Sequence, residues 1–365
     1  MAELISALGA EHAKLGATMD EWNDMDVALN YSTDAEVEHD AVRTAAGLFD
    51  VTALKKVWIE GPDALACVQR IATRDMSKVY QGKSAYNPVL TDEGTTSDDN
   101  IIFHVSDNKY LYVHGTGNSY ERLQIAKHGL NVDVRRDRET HDISLQGQKA
   151  TGLLNAHCNV DLEPLAYFHQ VECELFGRNA LISRTGYSGE RGYEIFVGAD
   201  DVVDVWQRIL DAGQNDGVLP CSFSCLDKIR IEAGLLFYPY DMHETVTPWE
   251  LGLGWSISRK KGEFMGSKSL FAAEGKERIK FGGVSNSDIT GLLDAEGTLQ
   301  LNGEDVGTIT SPGYSHRLGK SLGLAHLRPD IAIGTVLQNV GAGGSVDVVV
   351  ENVPFDDANK SRTHS

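Results

Sequence analysis

The stretch from residue 183 to residue 255 constrains this chain more than any other part of it. Its first segment places three glycines, two tyrosines and two glutamates close together: Gly186, Gly189, Gly192, Tyr187, Tyr193, Glu190 and Glu194. Glycine lets the backbone bend or approach a ligand closely, while tyrosine offers a flat face and glutamate a carboxylate. Taken alone, this segment fits a ligand-binding turn and an ordinary hairpin about equally well.

Other short motifs accompany this stretch in a fixed order. They are Arg43–Val51 (RTAAGLFDV), Gly82–Leu90 (GKSAYNPVL), Asp98-Asp99, Arg184–Glu194, Glu232–Gly234, Phe264–Lys268 (FMGSK), Thr310–Gly313 (TSPG) and Leu318-Gly319. In this order they resemble the T-protein of the glycine cleavage system and its relatives, the tetrahydrofolate-dependent aminomethyl- and methyltransferases, which include dimethylsulfoniopropionate demethylases. The resemblance covers most of the chain, and several motifs in one order are more specific than any single motif.

The pattern of short strands and single helices between residues 51 and 145 predicts an α+β arrangement with antiparallel sheets. Beyond residue 275, six short glycine-rich strands within about 75 residues predict a small β-barrel. With the resemblance, we expect a multi-domain T-protein-like fold. Residues 1–275 would form two interleaved α+β subdomains around a central folate pocket, one of them roughly 52–140, and residues 276–356 would form the barrel.

The two ends of the chain carry weaker signals. Residues 1–47 predict a helical lead-in, with His12, Leu15 and Met19 spaced like one helix face, followed by a second short helix from Val37 to Ala45. The segment from Asp356 onward is polar, so we expect it to be frayed.

Composition limits the partners. The 365 residues include 33 basic and 53 acidic ones, for a formal net charge of −20. This charge would repel nucleic acid and anionic membranes, so neither is expected as a partner. No apolar run approaches the roughly 20 residues of a membrane span, and no secretory signal is visible, so a cytoplasmic protein is the simplest interpretation.

Five cysteines, at positions 67, 158, 173, 221 and 225, form no paired Cys-x-x-Cys pattern. Cys221 and Cys225 are four residues apart and could share a helix face, but no histidine cluster adjoins them in the sequence. Buried free thiols are therefore favoured over structural zinc, and no metal site is predicted.

The resemblance supplies candidate site residues. It implies that Asp98 is the leading catalytic residue, because the first aspartate of the family's acidic pair contacts the folate nitrogens that accept the carbon. A carboxylate there would orient the amine and stabilise positive charge. Without the resemblance, Asp98 and Asp99 would be read as a solvated turn before a strand, and we expect Asp99 to matter less.

The resemblance also implies a folate pocket. Tyr86 matches the tyrosine that lines it and Glu194 the glutamate that binds the pterin ring, where a carboxylate can accept two hydrogen bonds. The predicted walls of the pocket are Tyr187, Tyr193, Tyr238 and Trp255. The resemblance brings the irregular stretch around Trp22 and Tyr31 towards the active site, where both residues are candidates for binding substrate. Packing in the protein core is the rival interpretation for each of these aromatic residues.

Three departures from the family pattern bear on the reaction. Leu226 stands where the glycine-cleavage enzymes have an arginine that helps to hold folate, and residues 340–345 lack a second arginine of the pattern. Ala53-Leu54 replaces a His-Met pair. The glutamate tail of folate would then need other basic groups, and the candidates are Lys83, Arg184 and Arg191.

These departures favour a tetrahydrofolate-dependent one-carbon transferase that demethylates a small donor, methylated on nitrogen, sulfur or oxygen. The first alternative is the glycine-cleavage aminomethyltransferase acting on a lipoyl carrier protein. That carrier is usually acidic, so docking to a chain of charge −20 is disfavoured. The second alternative is a non-catalytic folate-binding relative.

Overall fold

A computed structural model describes residues 6–289, 291–295 and 297–365. The elements up to residue 71 are α1 (Gly9–Lys14), β1 (Thr18–Trp22), β2 (Met25–Asn30), α2 (Ala35–Thr44), β3 (Gly47–Asp50), β4 (Lys55–Glu60) and α3 (Ala64–Ile71). Those from 84 to 155 are β5 (Ser84–Leu90), β6 (Thr96–Ser106), β7 (Lys109–His114), α4 (Ser119–Ala126), β8 (Asp133–Asp137), β9 (Thr140–Gln146) and α5 (Ala150–Asn155).

The next group, up to residue 273, comprises β10 (Gln170–Leu175), β11 (Arg178–Ser183), β12 (Gly192–Gly198), α6 (Ala199–Gly213), β13 (Leu219–Cys221), α7 (Phe223–Glu232) and α8 (Ser267–Ala273). The last group comprises β14 (Lys280–Asn286), β15 (Thr298–Leu301), β16 (Glu304–Ser315), β17 (Lys320–Leu327), β18 (Val336–Gly341), β19 (Gly344–Glu351) and α9 (Ser361–His364). Short 3₁₀ turns lie at Met76–Lys78, Gln214–Asp216 and Leu253–Ser256.

Two sheets form the larger part of the molecule. The first is antiparallel, with strand order β5-β6-β7-β4-β8, and the second has the order β10-β11-β12-β9-β3-β13, with only the β3–β13 pair parallel. Each sheet packs its outer face on helices, the first on α3 and α4 and the second on α5 and α6. The inner faces meet, because Phe103 of β6 contacts Phe196 of β12 with ring centroids 5.4 Å apart.

The C-terminal strands close into a barrel with the order β14-β17-β16-β15-β18-β19, and β14 pairs with β19 to complete it. Helix α7 joins the barrel to the two sheets, since Ile231 packs on Leu322 and Leu324 of β17. The predicted fold class, α+β with a C-terminal β-barrel, is confirmed. Among the residues described, no helix is both long enough and apolar enough to cross a membrane.

The N-terminal prediction is half right. The second helix is confirmed as α2, which begins after Asp34, whose side chain accepts a hydrogen bond from the Glu36 amide. The long helical lead-in is wrong, because α1 ends at Lys14 and Met19 lies on strand β1. Asn23 and Asp24 both have positive φ, 59° and 68°, as a tight hairpin turn between β1 and β2 requires.

The expectation of a frayed C-terminal segment is also wrong. Residues 356–365 return to the two-sheet region, where the Arg362 guanidinium lies 2.7 Å from Asp356 and 3.0 Å from Glu190. The Thr363 hydroxyl donates to the Gly189 carbonyl at 2.8 Å. Polar composition alone misled the prediction, because these polar groups find partners on the protein instead of in water.

Candidate functional site

A cavity of about 810 Å³ opens between the inner faces of the two sheets, within the size range of small-molecule sites. The first sheet contributes Ile101, Phe103 and Val113, and the second contributes Ser144 and Glu194. The remaining walls come from the loop 184–192, the segments 233–238 and 251–255, and the C-terminal residues 356–364. The central stretch of the sequence and both sheets therefore meet at one site.

One wall carries an acid beside two aromatic rings. Asp99 and Tyr86 line the cavity, and the Tyr86 hydroxyl is close enough to the Asp99 carboxylate to favour its ionised form. The Tyr86 ring stacks on Trp255, with centroids 5.8 Å apart and an interplanar angle of 23°. Burial and the charge of Asp98 raise the pKa of Asp99 to about 7 against the opposing effect of Tyr86. Asp99 can therefore gain or lose a proton near neutral pH.

Asp98, the predicted catalytic residue, is placed differently. It is fully buried and does not belong to the described residues that line this cavity. Successive side chains of a strand point to opposite faces, so Asp99 turns inward between the sheets while Asp98 turns towards the helices. The loop after β7 seals it, because a Cβ on Gly117 would lie 2.6 Å from the Asp98 Cβ. The catalytic role of Asp98 stays a prediction, and the geometry directs attention to Asp99.

Asp98 is part of a buried network of hydrogen bonds. Its Oδ2 accepts from the Ser119 hydroxyl at 2.6 Å and lies 2.9 Å from His114 Nδ1. The Tyr112 hydroxyl donates to Ser119 at 3.1 Å and accepts from the Asn100 amide at 2.9 Å. These contacts tie β6, β7 and the start of α4 together. His114 also lines a smaller polar pocket of about 360 Å³ beside the main cavity.

The opposite wall carries Glu194 from β12. Ser144, its partner on β9, lines the cavity on the same face. The Glu194 carboxylate accepts a hydrogen bond from the Thr185 hydroxyl. Burial raises the pKa of Glu194, while that hydrogen bond and the charge of Lys56 oppose the rise. The side chain is only 8% exposed, so it presents a desolvated acceptor to any ligand in the cavity.

The glycine spacing in the loop 184–192 is explained by packing. A Cβ on Gly186 or Gly192 would lie 2.2 Å or 2.4 Å from the side chain of Gln146. Gln146 in turn donates to the Thr185 carbonyl at 3.1 Å and accepts from the Ser188 hydroxyl at 2.7 Å. The glycines therefore let the loop close over one buried amide, and this closure sets where Thr185 meets Glu194.

Arg43 also holds the loop 184–192 in place. Its guanidinium donates to the Ser188 carbonyl at 2.8 Å and to Glu190 at 2.7 Å. It also donates to Glu232, at the end of α7, at 2.9 Å. Burial opposes ionisation of Glu232, but the hydrogen bond from His39 and the charge of Arg43 lower its pKa to about 2. The motifs contain Arg43, Glu190 and Glu232 without assigning them roles, and only the fold brings these three residues together.

The other predicted aromatic residues divide into two groups. Tyr187, Tyr238, Trp255 and Trp22 line the cavity. The Tyr187 hydroxyl donates to the Leu236 carbonyl at 2.6 Å, and the Trp22 ring packs 5.3 Å from Phe223.

Tyr193 and Tyr31 lie elsewhere. Tyr193 is fully buried on the outer face of the second sheet, where its hydroxyl donates to the Leu162 carbonyl at 3.2 Å. The hydroxyl of Tyr31 lies 2.9 Å from His12 Nδ1, and the other ring nitrogen of His12 lies 3.0 Å from Asp50. Of the residues described, neither tyrosine belongs to the cavity lining. For these two residues the rival interpretation, packing in the core, is the one that the structure favours.

Basic groups cluster where the C-terminal segment crosses the cavity. Of the three cations predicted for a folate tail, Arg184 lines the cavity and donates to the Leu165 and Thr363 carbonyls, at 3.1 Å and 3.2 Å. Arg191 binds Glu163 and the backbone oxygen of Ser365. Lys360 and Arg362 also line the cavity. Sequence reasoning missed these two cations because it treated their segment as frayed.

Comparisons with known proteins agree with this architecture. Residues 8–261 match the GCVT N-terminal domain, and residues 288–357 match the glycine cleavage T-protein C-terminal barrel domain. A glycine cleavage system aminomethyltransferase T from Bartonella henselae superposes with a TM-score of 0.89 at 23% identity, over 97% of this chain and 98% of that one. This likeness concerns the fold.

Two curated relatives are more similar in sequence. The heme-dependent oxidative N-demethylase gamma subunit of Ectopseudomonas mendocina is 39% identical, over 98% of this chain and 97% of that protein. The aminomethyltransferase of Bacillus subtilis is 36% identical, over 87% of this chain and 90% of that protein. With both domains matched and the two-sheet cavity in place, the chain belongs to the glycine cleavage T-protein family.

Proposed function

We propose that this protein transfers a one-carbon unit from a small N-methylated compound, or from its oxidation product, to tetrahydrofolate. The observation that carries the proposal is the pair of carboxylates that face one cavity, Asp99 beside Tyr86 on one wall and Glu194 on the other. When bound, tetrahydrofolate supplies two amine nitrogens that accept the carbon.

The cavity suits a folate in size and chemistry. A volume of about 810 Å³ accommodates a ligand with a flat bicyclic ring, and Tyr187, Tyr238 and Trp255 offer aromatic faces to it. Glu194 would hold the ring, because a buried carboxylate can accept hydrogen bonds from an amino group and an adjacent ring N–H. Arg184, Lys360 and Arg362 would hold the carboxylates of the glutamate tail, in place of the family arginine that Leu226 replaces.

Asp99 would act on the proton of the accepting nitrogen. Its pKa of about 7 leaves a substantial carboxylate fraction at neutral pH, and the side chain is half-buried in the cavity wall. As a carboxylate it would orient the amine and take up the proton released when the nitrogen bonds to carbon. The neighbouring Tyr86 hydroxyl would help to orient this carboxylate towards the amine.

The sequence left the donor atom open among nitrogen, sulfur and oxygen, and the relative from Ectopseudomonas mendocina favours nitrogen. That relative is named as a subunit of an oxidative N-demethylase. Oxidation of an N-methyl group brings its carbon to the oxidation level of formaldehyde. A subunit that passes this carbon to tetrahydrofolate would prevent the release of free formaldehyde. We therefore propose further that the chain works beside an oxidising partner subunit.

The decisive experiment has two parts. Calorimetry with tetrahydrofolate should give micromolar-class binding that weakens in Glu194→Gln, and absence of binding to the folded protein would overturn every folate-dependent reading. Formation of 5,10-methylene-tetrahydrofolate from formaldehyde should exceed the uncatalysed rate, and Asp99→Asn should remove the excess. A rate equal to the uncatalysed one would contradict the proposal.

Aminomethyl transfer from a lipoyl carrier is the second candidate function, because relatives such as the Bacillus subtilis protein are named aminomethyltransferases. The same assay separates the two candidates when it is run with and without the aminomethylated carrier. We expect turnover without the carrier. Strict dependence on the carrier, with free donors inert, would restore the aminomethyltransferase function.

A further inference from the structure

The C-terminal segment forms one side of the main cavity, and we call residues 356–364 the strap. Its residues that line the cavity are Asp356, Asp357, Lys360, Arg362, Thr363 and His364. The strap follows Val353 and Phe355, whose side chains pack on the cluster that joins α7 to the barrel. The Phe355 amide also donates to the Glu232 carbonyl at 2.9 Å. The chain is therefore anchored to the barrel directly before the strap begins.

The strap itself folds mainly on its own polar groups. The Asp357 carboxylate accepts from the Ser361 hydroxyl at 2.5 Å and from the Arg362 amide at 2.8 Å. The Lys360 amide donates to the Asp357 carbonyl at 2.7 Å. The structure describes every residue of the strap, and none of them belongs to a hydrophobic core cluster. The strap is thus a compact polar unit at the edge of the cavity.

Polar contacts hold the strap against the loop 184–192. The Arg362 guanidinium lies 3.0 Å from Glu190, and the Thr363 hydroxyl donates to the Gly189 carbonyl at 2.8 Å. Segments that are held by hydrogen bonds and bury little apolar surface open at a fraction of the free energy of global unfolding. The strap should therefore open while the two sheets and the barrel stay folded.

Lys360 is the cation of the strap that is available to a ligand. It lines the cavity, and its ammonium group forms no ion pair with any residue that the structure describes. Its φ of 52° is a left-handed conformation that side chains such as lysine rarely adopt, and such outliers cluster at ligand clamps and active sites. Arg362, by contrast, is already paired with Asp356 and Glu190.

We infer that the strap opens to admit an anionic ligand and then closes on it. The ion pair of Arg362 with Glu190 is the latch, and Lys360 binds a ligand carboxylate when the strap is closed. The inference rests on the proposed function, because the carboxylate expected in this cavity is that of the glutamate tail of tetrahydrofolate. A ligand that binds only the closed form shifts the equilibrium towards closure, and a closed strap holds the acceptor in place during the transfer.

Limited digestion of the full chain with trypsin measures the opening directly. Trypsin cleaves after Lys360 and Arg362, and cleavage of a folded protein tracks the population of the locally opened form. Tetrahydrofolate at 100 times its dissociation constant should slow this cleavage by up to roughly 100-fold. A tetrahydropterin without the glutamate tail, at the same multiple of its own dissociation constant, should give little protection, because it offers Lys360 no carboxylate.

Two variants separate the latch from the ligand contact. Without ligand, Arg362→Gln should raise the rate of cleavage after Lys360 by roughly five- to tenfold, because an ion pair with a buried carboxylate is lost. Arg328→Gln is the matched control, since Arg328 is an arginine of the barrel with similar exposure, 39% against 36%, and also pairs with two carboxylates. It should leave cleavage of the strap unchanged. Lys360→Gln should remove most of the protection that tetrahydrofolate gives to the site after Arg362.

Two results would overturn the inference. One is cleavage of the wild-type strap at the same rate with and without bound tetrahydrofolate, and the other is an unchanged ligand-free rate in Arg362→Gln. Near-UV circular dichroism would confirm that each variant is folded. Calorimetry that shows no tetrahydrofolate binding would overturn the proposed function and with it the role of Lys360. The ligand-free digestion of Arg362→Gln would still decide whether the latch controls opening of the strap.

Discussion

The two sheets each present one carboxylate to the cavity, and the surroundings of the two differ. Asp99 sits next to the buried charge of Asp98, and burial together with that charge raises its pKa to about 7. Burial also raises the pKa of Glu194, but the Thr185 hydroxyl and the charge of Lys56 oppose the rise. The pKa of each carboxylate is raised by burial, but a second carboxylate adjoins Asp99 and adds to the rise, whereas a hydroxyl and a cation adjoin Glu194 and oppose it.

The largest expected effect tests the Asp99 wall. Asp99→Asn should reduce the rate of one-carbon transfer by roughly 10²- to 10⁴-fold, since it removes the group that takes up the proton. Asp98→Asn should reduce the rate less, because Asp98 faces the helices. Single-turnover rates of both variants would show which aspartate contributes more to the transfer step. A greater loss in Asp98→Asn would instead support the catalytic role that the family resemblance assigns to Asp98.

The second effect concerns the Glu194 wall. Glu194→Gln should weaken tetrahydrofolate binding by about 1.5–3 kcal/mol, since hydrogen bonds to a charged acceptor are lost. Tyr193→Phe is the matched control, one residue along the same strand but on the outer face, and should change the dissociation constant less than about twofold. Equal losses in both variants would show that disturbance of β12, and not contact with the ligand, weakens binding.

The third effect is on stability at the buried aspartate. Asp98→Asn should lower the free energy of unfolding by about 1–3 kcal/mol, because the side chain can no longer accept from both His114 and Ser119 without leaving a buried group unpaired. Denaturant unfolding would measure it, with Asp92→Asn, whose carboxylate is 80% exposed, as the control. An unchanged midpoint would mean that the network contributes little.

The last effect is the pH dependence of stability. With a pKa of about 7, Asp99 holds a proton in the folded state that the unfolded chain releases near pH 4, so folding takes up a proton between these values. Stability should fall as the pH rises from about 4 to 7, by up to roughly 1.4 kcal/mol per pH unit, and Asp99→Asn should remove this contribution. Unfolding curves at pH 5 and pH 8 would show it. Identical pH dependence in the variant would mean that Asp99 titrates normally.

The motifs predicted which parts of the chain would meet, and most of the predicted residues do line the cavity. The cavity residues that the motifs did not predict were missed for one physical reason. Lys360 and Arg362 lie in a segment whose polar composition is typical of a frayed end. Their position at the cavity depends on contacts with residues distant in sequence, such as the ion pair of Arg362 with Glu190. Local pattern carries no information about such partners.

Hydrophobic spacing and motif order were enough to determine the α+β class, the barrel and the family, because burial of periodic apolar residues acts along each segment separately. The tertiary structure alone decided which of two neighbouring residues faces the cavity. Asp98 and Asp99, like Tyr193 and Glu194, are adjacent in sequence and opposite in space. A strand has a side-chain period of two, so only the packing of its two faces decides which residue points into the cavity.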